Sequence, residues 1–93
     1  MIDTQNFLKK DVSELSGLEL KALWWDGHGE WQKAHDLVDG PSSQSAARVH
    51  AYLHRKEGDI WNADYWYRRA GEVRPDHSLD EEWEGLVARF YKH

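Results

Sequence analysis

Residues 51–63 decide the fold, because their pattern already occurs once before in the chain. They read Ala51-Tyr-Leu-His-Arg-Lys-Glu-Gly58-Asp59-Ile60-Trp-Asn-Ala63, and residues 22–34 read Ala22-Leu-Trp-Trp-Asp-Gly-His-Gly29-Glu30-Trp31-Gln-Lys-Ala34. Both copies carry a small residue, a glycine, an acid, an apolar residue and an alanine in the same order and spacing. An internal repeat indicates an architecture in which similar units stack and bury a shared apolar face.

Each copy predicts a helical hairpin, since a glycine interrupts two amphipathic segments. The predicted hairpins cover residues 13–39 and 43–72, and residues 1–12 form a loose arm or a short first helix. An apolar stripe at helical spacing predicts a further helix at 78–91, which caps the last apolar face of the repeats. We therefore predict one all-α domain over residues 1–93, with about five helices and no strand.

Polar residues that favour helix starts precede the predicted helices. The acidic run from Asp80 to Glu84 is expected to complement the dipole of the last helix and to face solvent. The expected caps are Ser13 or Ser16 for the first helix, Ser42 or Ser43 for the third, Asp59 for the fourth, and a capping box of Ser78 and Glu81 for the last.

The second copy carries a more specific pattern of small, aromatic, small and proline residues, formed by Gly58, Ala63, Tyr67, Ala70 and Pro75. Its order and spacing resemble the second half of a tetratricopeptide (TPR) repeat. The resemblance implies two TPR-like antiparallel hairpins in a right-handed α-α superhelix, an architecture of adaptors that hold peptides. The first copy departs from the pattern, because Gly40-Pro41 interrupts its second helix. The stretch His50–Gly71 also resembles a group of small bacterial proteins without an assigned function, which implies no activity.

Composition excludes several classes of function. The net charge is −5, from 12 basic and 17 acidic residues, which argues against non-specific nucleic-acid binding. The chain has no cysteine, so it has neither disulfides nor thiolate chemistry. It has no apolar run of the length of a membrane span or a signal peptide, so a cytoplasmic protein without membrane contact is expected. Its six tryptophans make it Trp-rich, and large rings supply much burial in a short chain.

The third predicted helix carries a candidate ligand-binding face. By the repeat register, this face points into a concave groove, and its members are Arg48, Tyr52, Arg55 and Lys56. The planar guanidinium fork suits carboxylates and other anions. The alternative is internal pairing, since the repeat places Glu19 opposite Arg48 and Asp26 opposite Arg55.

Three histidines form a candidate metal site. His50 and His54 are one helical turn apart and share a face, and His35 lies on the preceding helix. Imidazoles at this spacing suit a transition metal such as zinc, with Asp36 or Asp64 as a further ligand. Two alternatives stay open: the histidines pack between helices and bond to a carboxylate such as Asp36, or they perform acid–base catalysis.

The fourth predicted helix carries a candidate interface of aromatic and basic residues. One face of a helix cannot bury all the rings of this stretch, so some of them form a separate stripe. Either the C-terminal helix covers the stripe, or it is an exposed patch of the kind enriched in interfaces. The candidate interface consists of Trp61, Tyr65, Trp66 and Arg69.

The leading functional hypothesis is a non-enzymatic protein-interaction module without a cofactor. It binds a protein or an acidic peptide, a carboxylate or another anion in the groove of the third helix. The first alternative is a metal-binding protein that uses the three histidines, and the second is a structural subunit that forms a homodimer through the aromatic stripe. An enzyme is not predicted, because the chain has no nucleophile motif, phosphate loop or paired-carboxylate site.

Overall fold

A computed structural model describes residues 4–91, and all the regular structure in that range is helical. This confirms the predicted all-α class. A short 3₁₀ turn covers Val12–Glu14. The α-helices are α1 at Thr4–Lys9, α2 at Leu18–Gly27, α3 at Trp31–Asp39, α4 at Gln44–Glu57, α5 at Ile60–Arg69 and α6 at Leu79–Phe90.

The repeated pattern forms two helical hairpins, α2 with α3 and α4 with α5. In the turn of each hairpin, the repeated glycine adopts the left-handed region, with φ of 80° at Gly29 and 90° at Gly58. A side chain would be strained in this conformation. The repeated alanines are fully buried, so the helices approach closely where the side chain is small: Ala22, Ala34, Ala51 and Ala63.

Three of the predicted caps are present. The side chain of Ser43 accepts a hydrogen bond from the Ala46 amide at the start of α4, and Asp59 does the same for Asn62 at the start of α5. Ser78 opens α6 with the complete capping box. Each side chain satisfies a backbone donor that the first helical turn leaves unpaired.

The predicted cap of the first hairpin is wrong. Neither Ser13 nor Ser16 caps α2, which begins at Leu18 after Gly17, with no side-chain cap. The reason is local, since Asp11 forms a capping box around the 3₁₀ turn and draws Ser13 into it. Gly17, at φ 91°, then lets the chain turn into α2.

Both ends of the described chain pack into the core. Phe7 of α1 is fully buried, and its ring meets the ring of Trp83 of α6 with the centroids 6.0 Å apart. The Trp83 indole N–H donates to the Leu23 carbonyl of α2 at 3.0 Å. α6 packs against α2 and α4, and its Leu86 and Val87 are buried. The last helix therefore lies on the face of α4 that the sequence assigned to an open groove.

A glycine at the end of α2 makes room for this packing. A Cβ atom at Gly27 would lie 2.6 Å from Leu8 Cδ2 and 2.9 Å from Trp83 Cζ2. We expect Gly27→Ala to lower the free energy of unfolding by about 1–2 kcal/mol, because the strain exceeds the gain in helix propensity. The matched control is Gly85→Ala in α6, where a Cβ meets nothing within 4 Å, and this change should stabilise by about 0.5–1 kcal/mol. Urea denaturation in which both variants shift in the same direction would contradict this account.

Candidate functional site

The three predicted histidines lie together between α3 and α4. The Nε2 atoms of His35 and His50 are 3.1 Å apart. His54 lies one turn further along α4, with its ring 4.8 Å from that of His50 and 5.3 Å from that of His35. Each of the three offers a ring nitrogen within 4.8 Å of the other two. The convergence expected from sequence is therefore present, and we name this group the histidine cluster.

Two tryptophans enclose the histidine cluster. The Trp31 ring stacks on His35 at 4.9 Å with an interplanar angle of 11°, and Trp66 stacks on His50 at 3.9 Å and 18°. The Trp31 indole N–H donates to the Leu53 carbonyl of α4 at 2.8 Å, which fixes its ring. Sequence placed Trp66 in the candidate interface, but the structure places it partly buried against His50. Trp31 lies one helical turn before His35, so its spacing of four was a sequence signal for this stacking.

Burial keeps the central imidazole neutral. His50 is only 1 % exposed, and this burial, with the neighbouring His35 and His54, lowers its pKa from 6.5 to about 4. The carboxylate of Asp39, 3.9 Å away, opposes the shift, as does a weak contact between the ring and the Val38 backbone. The buried Nδ1 of His35 has no hydrogen-bond partner among the described residues. A neutral ring is the form that binds metals.

The nearest carboxylates were not anticipated from sequence. Nδ1–H of His54 donates to Glu57 Oε1 at 2.6 Å, and Asp39 Oδ1 lies 3.9 Å from His50 Nε2. Glu57 is three residues from His54 on α4, so the helical spacing was a readable signal for this pair. The bond to Glu57 leaves the Nε2 of His54 free to bind a ligand.

The acids proposed as further metal ligands are engaged elsewhere. Asp36 accepts a hydrogen bond from Gln32 one turn earlier on α3, at 2.9 Å. Asp64 pairs with Arg74 at 3.1 Å. Each carboxylate is satisfied by a partner that does not belong to the histidine cluster. The predictions of Asp36 and Asp64 as ligands are therefore wrong.

α6 occupies the predicted anion groove and supplies its own anion. Glu82 is 2 % exposed and accepts hydrogen bonds from Arg48 at 2.8 Å, Arg55 at 2.7 Å and the Tyr67 hydroxyl. Arg48 also bonds to Glu72 at 2.9 Å. Burial, followed by the Glu82 carboxylate, raises the pKa of Tyr67. The expectation that the acidic run of α6 faces solvent is therefore wrong for Glu82.

The remaining groove residues bind a second buried acid. Asp26 of α2 accepts a hydrogen bond from the Tyr52 hydroxyl at 2.8 Å and pairs with Lys56 at 2.9 Å. Burial, followed by the Asp26 charge, raises the pKa of Tyr52. Asp26 thus neutralises Lys56, not Arg55.

The pairs expected from the repeat register are not the observed ones. Arg48 pairs with Glu72 and Glu82 instead of Glu19, and Arg55 pairs with Glu82 instead of Asp26. Internal pairing itself was a correct alternative. The register cannot identify these partners, because Glu72 and Glu82 lie beyond the repeated pattern.

The aromatic stripe on α5 is exposed. Trp61 is 76 % exposed and Tyr65 is 38 % exposed, and their rings are nearly parallel with centroids 6.5 Å apart. Arg69 donates to the Tyr65 hydroxyl at 3.1 Å. The alternative in which the C-terminal helix covers this stripe is wrong, because α6 packs against α2 and α4. The interface and the homodimer remain predictions.

Comparisons with known proteins identify no relative of this chain. No family model matches the chain, and no curated protein or solved structure matches it. The tetratricopeptide resemblance therefore rests on the residues quoted above. Within residues 4–91, no helix combines the length and apolar character that crossing a bilayer requires.

Proposed function

We propose that the protein binds a divalent first-row transition metal, of which zinc is the representative, through His35, His50 and His54. The observation that carries this proposal is the 3.1 Å separation of the His35 and His50 Nε2 atoms. Two nitrogens bound to one tetrahedral zinc, each at about 2.0–2.1 Å, lie roughly 3.3–3.4 Å apart. The two nitrogens therefore stand within a few tenths of an ångström of a ligating arrangement.

The surroundings of the histidine cluster favour the same function. Burial lowers the pKa of His50 to about 4, so no proton competes with a metal there near neutral pH. Glu57 accepts the Nδ1–H of His54, and a carboxylate behind a histidine orients a metal ligand and raises its basicity. The stacked rings of Trp31 and Trp66 limit rotation of His35 and His50. The protein thus supplies three nitrogen ligands whose orientations are largely fixed before binding.

Titration of the metal-free protein with Co²⁺ tests the proposal. We expect one Co²⁺ per chain, with the visible absorption of tetrahedral coordination and a quench of tryptophan fluorescence from the stacked rings. His50→Gln should weaken binding at least about a hundredfold, since a three-ligand site loses one ligand. His35→Gln should have an effect of the same order.

The matched control is His77→Gln, since His77 is an exposed histidine on the segment that precedes α6. This variant should bind Co²⁺ as the unaltered protein does. Equal affinity for Co²⁺ in His50→Gln and His77→Gln would reject the histidine cluster as the site. An absence of tetrahedral absorption at stoichiometric Co²⁺ would reject the proposed geometry.

A further inference from the structure

A pocket beside Arg55 shares no lining residue with the histidine cluster. An open pocket of about 600 Å³ lies between the end of α4, the outer part of α5 and the segment that leads to α6. Its volume lies within the range of small-molecule sites. Three arginines line it, one from each of these parts: Arg55, Arg68 and Arg74.

The acids of the pocket do not cancel these guanidinium groups. Glu72 is held by Arg48 and Arg89, which are not part of the lining and which lower its pKa against the effect of its burial. The partner of Arg55, Glu82, is likewise shared with Arg48. The positive charges of Arg48 and Arg89, which lie outside the lining, therefore offset the negative charges of Glu72 and Glu82. Only Asp64 and Asp76 remain as acids of the pocket itself.

The three arginines keep free donors. The Arg68 side chain is exposed and has no ion pair or hydrogen bond among the described residues. Within residues 4–91, Arg74 pairs with Asp64 through Nε only, and its terminal nitrogens have no partner there. Arg55 uses one N–H of each terminal nitrogen, toward Glu82 and the His77 carbonyl. A guanidinium carries five N–H donors in a planar fork, so each residue can still bind an oxyanion.

We infer that this pocket binds a phosphate monoester. A phosphate presents three terminal oxygens in a tetrahedral spread, which suits guanidinium groups supplied by three separate segments, whereas a planar carboxylate is served by one fork. Its charge of nearly −2 also exceeds what a single free arginine neutralises. The lining also contains the less polar side chains of Tyr67, Val73 and Pro75, against which the organic part of the ester packs.

Two-dimensional NMR titration with phenyl phosphate tests this inference. We expect shifts of the Arg68 and Arg74 amides and side chains that saturate with one ligand per chain. Inorganic phosphate and methyl phosphate form the comparison arms. Tighter binding of the phenyl ester than of inorganic phosphate identifies an ester site, and equal binding of all three identifies a site for the free phosphate ion, which would overturn the monoester assignment.

Substitutions that remove one charge distinguish a specific phosphate site from nonspecific electrostatic attraction. Arg68→Gln should weaken phenyl phosphate binding about tenfold, because the pocket loses one charge-assisted hydrogen bond. The matched control is Arg69→Gln, which removes the same charge from the neighbouring exposed residue outside the pocket. Asp76→Asn should tighten binding about two- to threefold, because it removes an acid from the pocket.

Equal losses of phenyl phosphate affinity in Arg68→Gln and Arg69→Gln would overturn the inference, since they would show nonspecific electrostatic attraction. The inference is likewise overturned if no resonance of the pocket shifts at about 10 mM phenyl phosphate, where even weak specific binding saturates. Circular dichroism of each variant confirms that it is folded. Metal removal should leave this binding unchanged, so the two sites are tested separately.

Discussion

Glu82→Gln is expected to lower the free energy of unfolding by about 3–5 kcal/mol, the largest effect of a single substitution that we predict. The carboxylate of Glu82 faces Arg48, Arg55 and the Tyr67 hydroxyl in the interior. A neutral amide leaves Arg55 without its carboxylate partner and Arg48 with Glu72 alone, and its NH₂ group cannot accept their hydrogen bonds. A domain of this size has only about 5–15 kcal/mol of stability in total. Urea denaturation followed by circular dichroism measures the loss.

The control for this prediction lies two residues away. Glu84→Gln removes the same charge from the same helix at an exposed position, where the side chain has no ion pair or hydrogen bond among the described residues. It should change the free energy of unfolding by less than about 0.5 kcal/mol. If the two variants had the same urea midpoint, the buried carboxylate would not be what fixes α6 on α4.

Acidification between pH 6.5 and 4 is expected to destabilise the metal-free protein by up to roughly 3 kcal/mol through His50 alone. Above pH 6.5 this imidazole is neutral in both the folded and the unfolded chain. Its pKa is 6.5 when unfolded and about 4 when folded, so between these values only the unfolded chain takes up the proton. The contribution of His50 to stability therefore falls as the pH decreases through this window, and it changes little below about pH 4. The groups that face the ring are His35, His54 and Asp39.

The slope of stability against pH isolates this effect from that of other titrating groups. Urea midpoints at pH 7, 5.5 and 4.5, measured with a chelator present, should decrease less steeply in His50→Gln than in the unaltered protein. His77→Gln should keep the original slope, because that side chain is exposed. Parallel curves for His50→Gln and the unaltered protein would show that this imidazole is not held neutral by burial.

The local signals of the sequence predicted the helices well. Glycines at 29 and 58 identified both hairpin turns because only this residue adopts a positive φ without strain. Ser43, Asp59 and Ser78 identified helix starts because their side chains replace missing backbone partners. The convergence of His50 and His54 follows from one helical turn, and the position of His35 follows from the adjacency of α3 and α4.

The position of α6 could not be predicted, and most of the site errors follow from that. The apolar stripe with Leu86 and Val87 showed that the helix has an inner face, but it did not show which face of the hairpins receives that helix. Glu82 stands in an acidic run, which in most helices is solvated. This acid is buried because it pairs with two residues that are distant in the chain, Arg48 and Arg55. The sequence pattern within one helix carries no information about such distant partners.

The Glu82 contacts have a consequence for how this chain changes over evolutionary time. One carboxylate satisfies side chains at positions 48, 55 and 67, so the four positions act as one energetic unit. The costs of substitutions in such a unit are strongly non-additive. The ionic cluster can be lost without a loss of stability if Glu82 and both arginines are replaced together by apolar residues. An apolar cluster of the same volume is often as stable as a buried ionic one. In descendants of this sequence, we expect these positions to vary jointly, and the exposed acids beside them, Asp80 and Glu84, to drift independently.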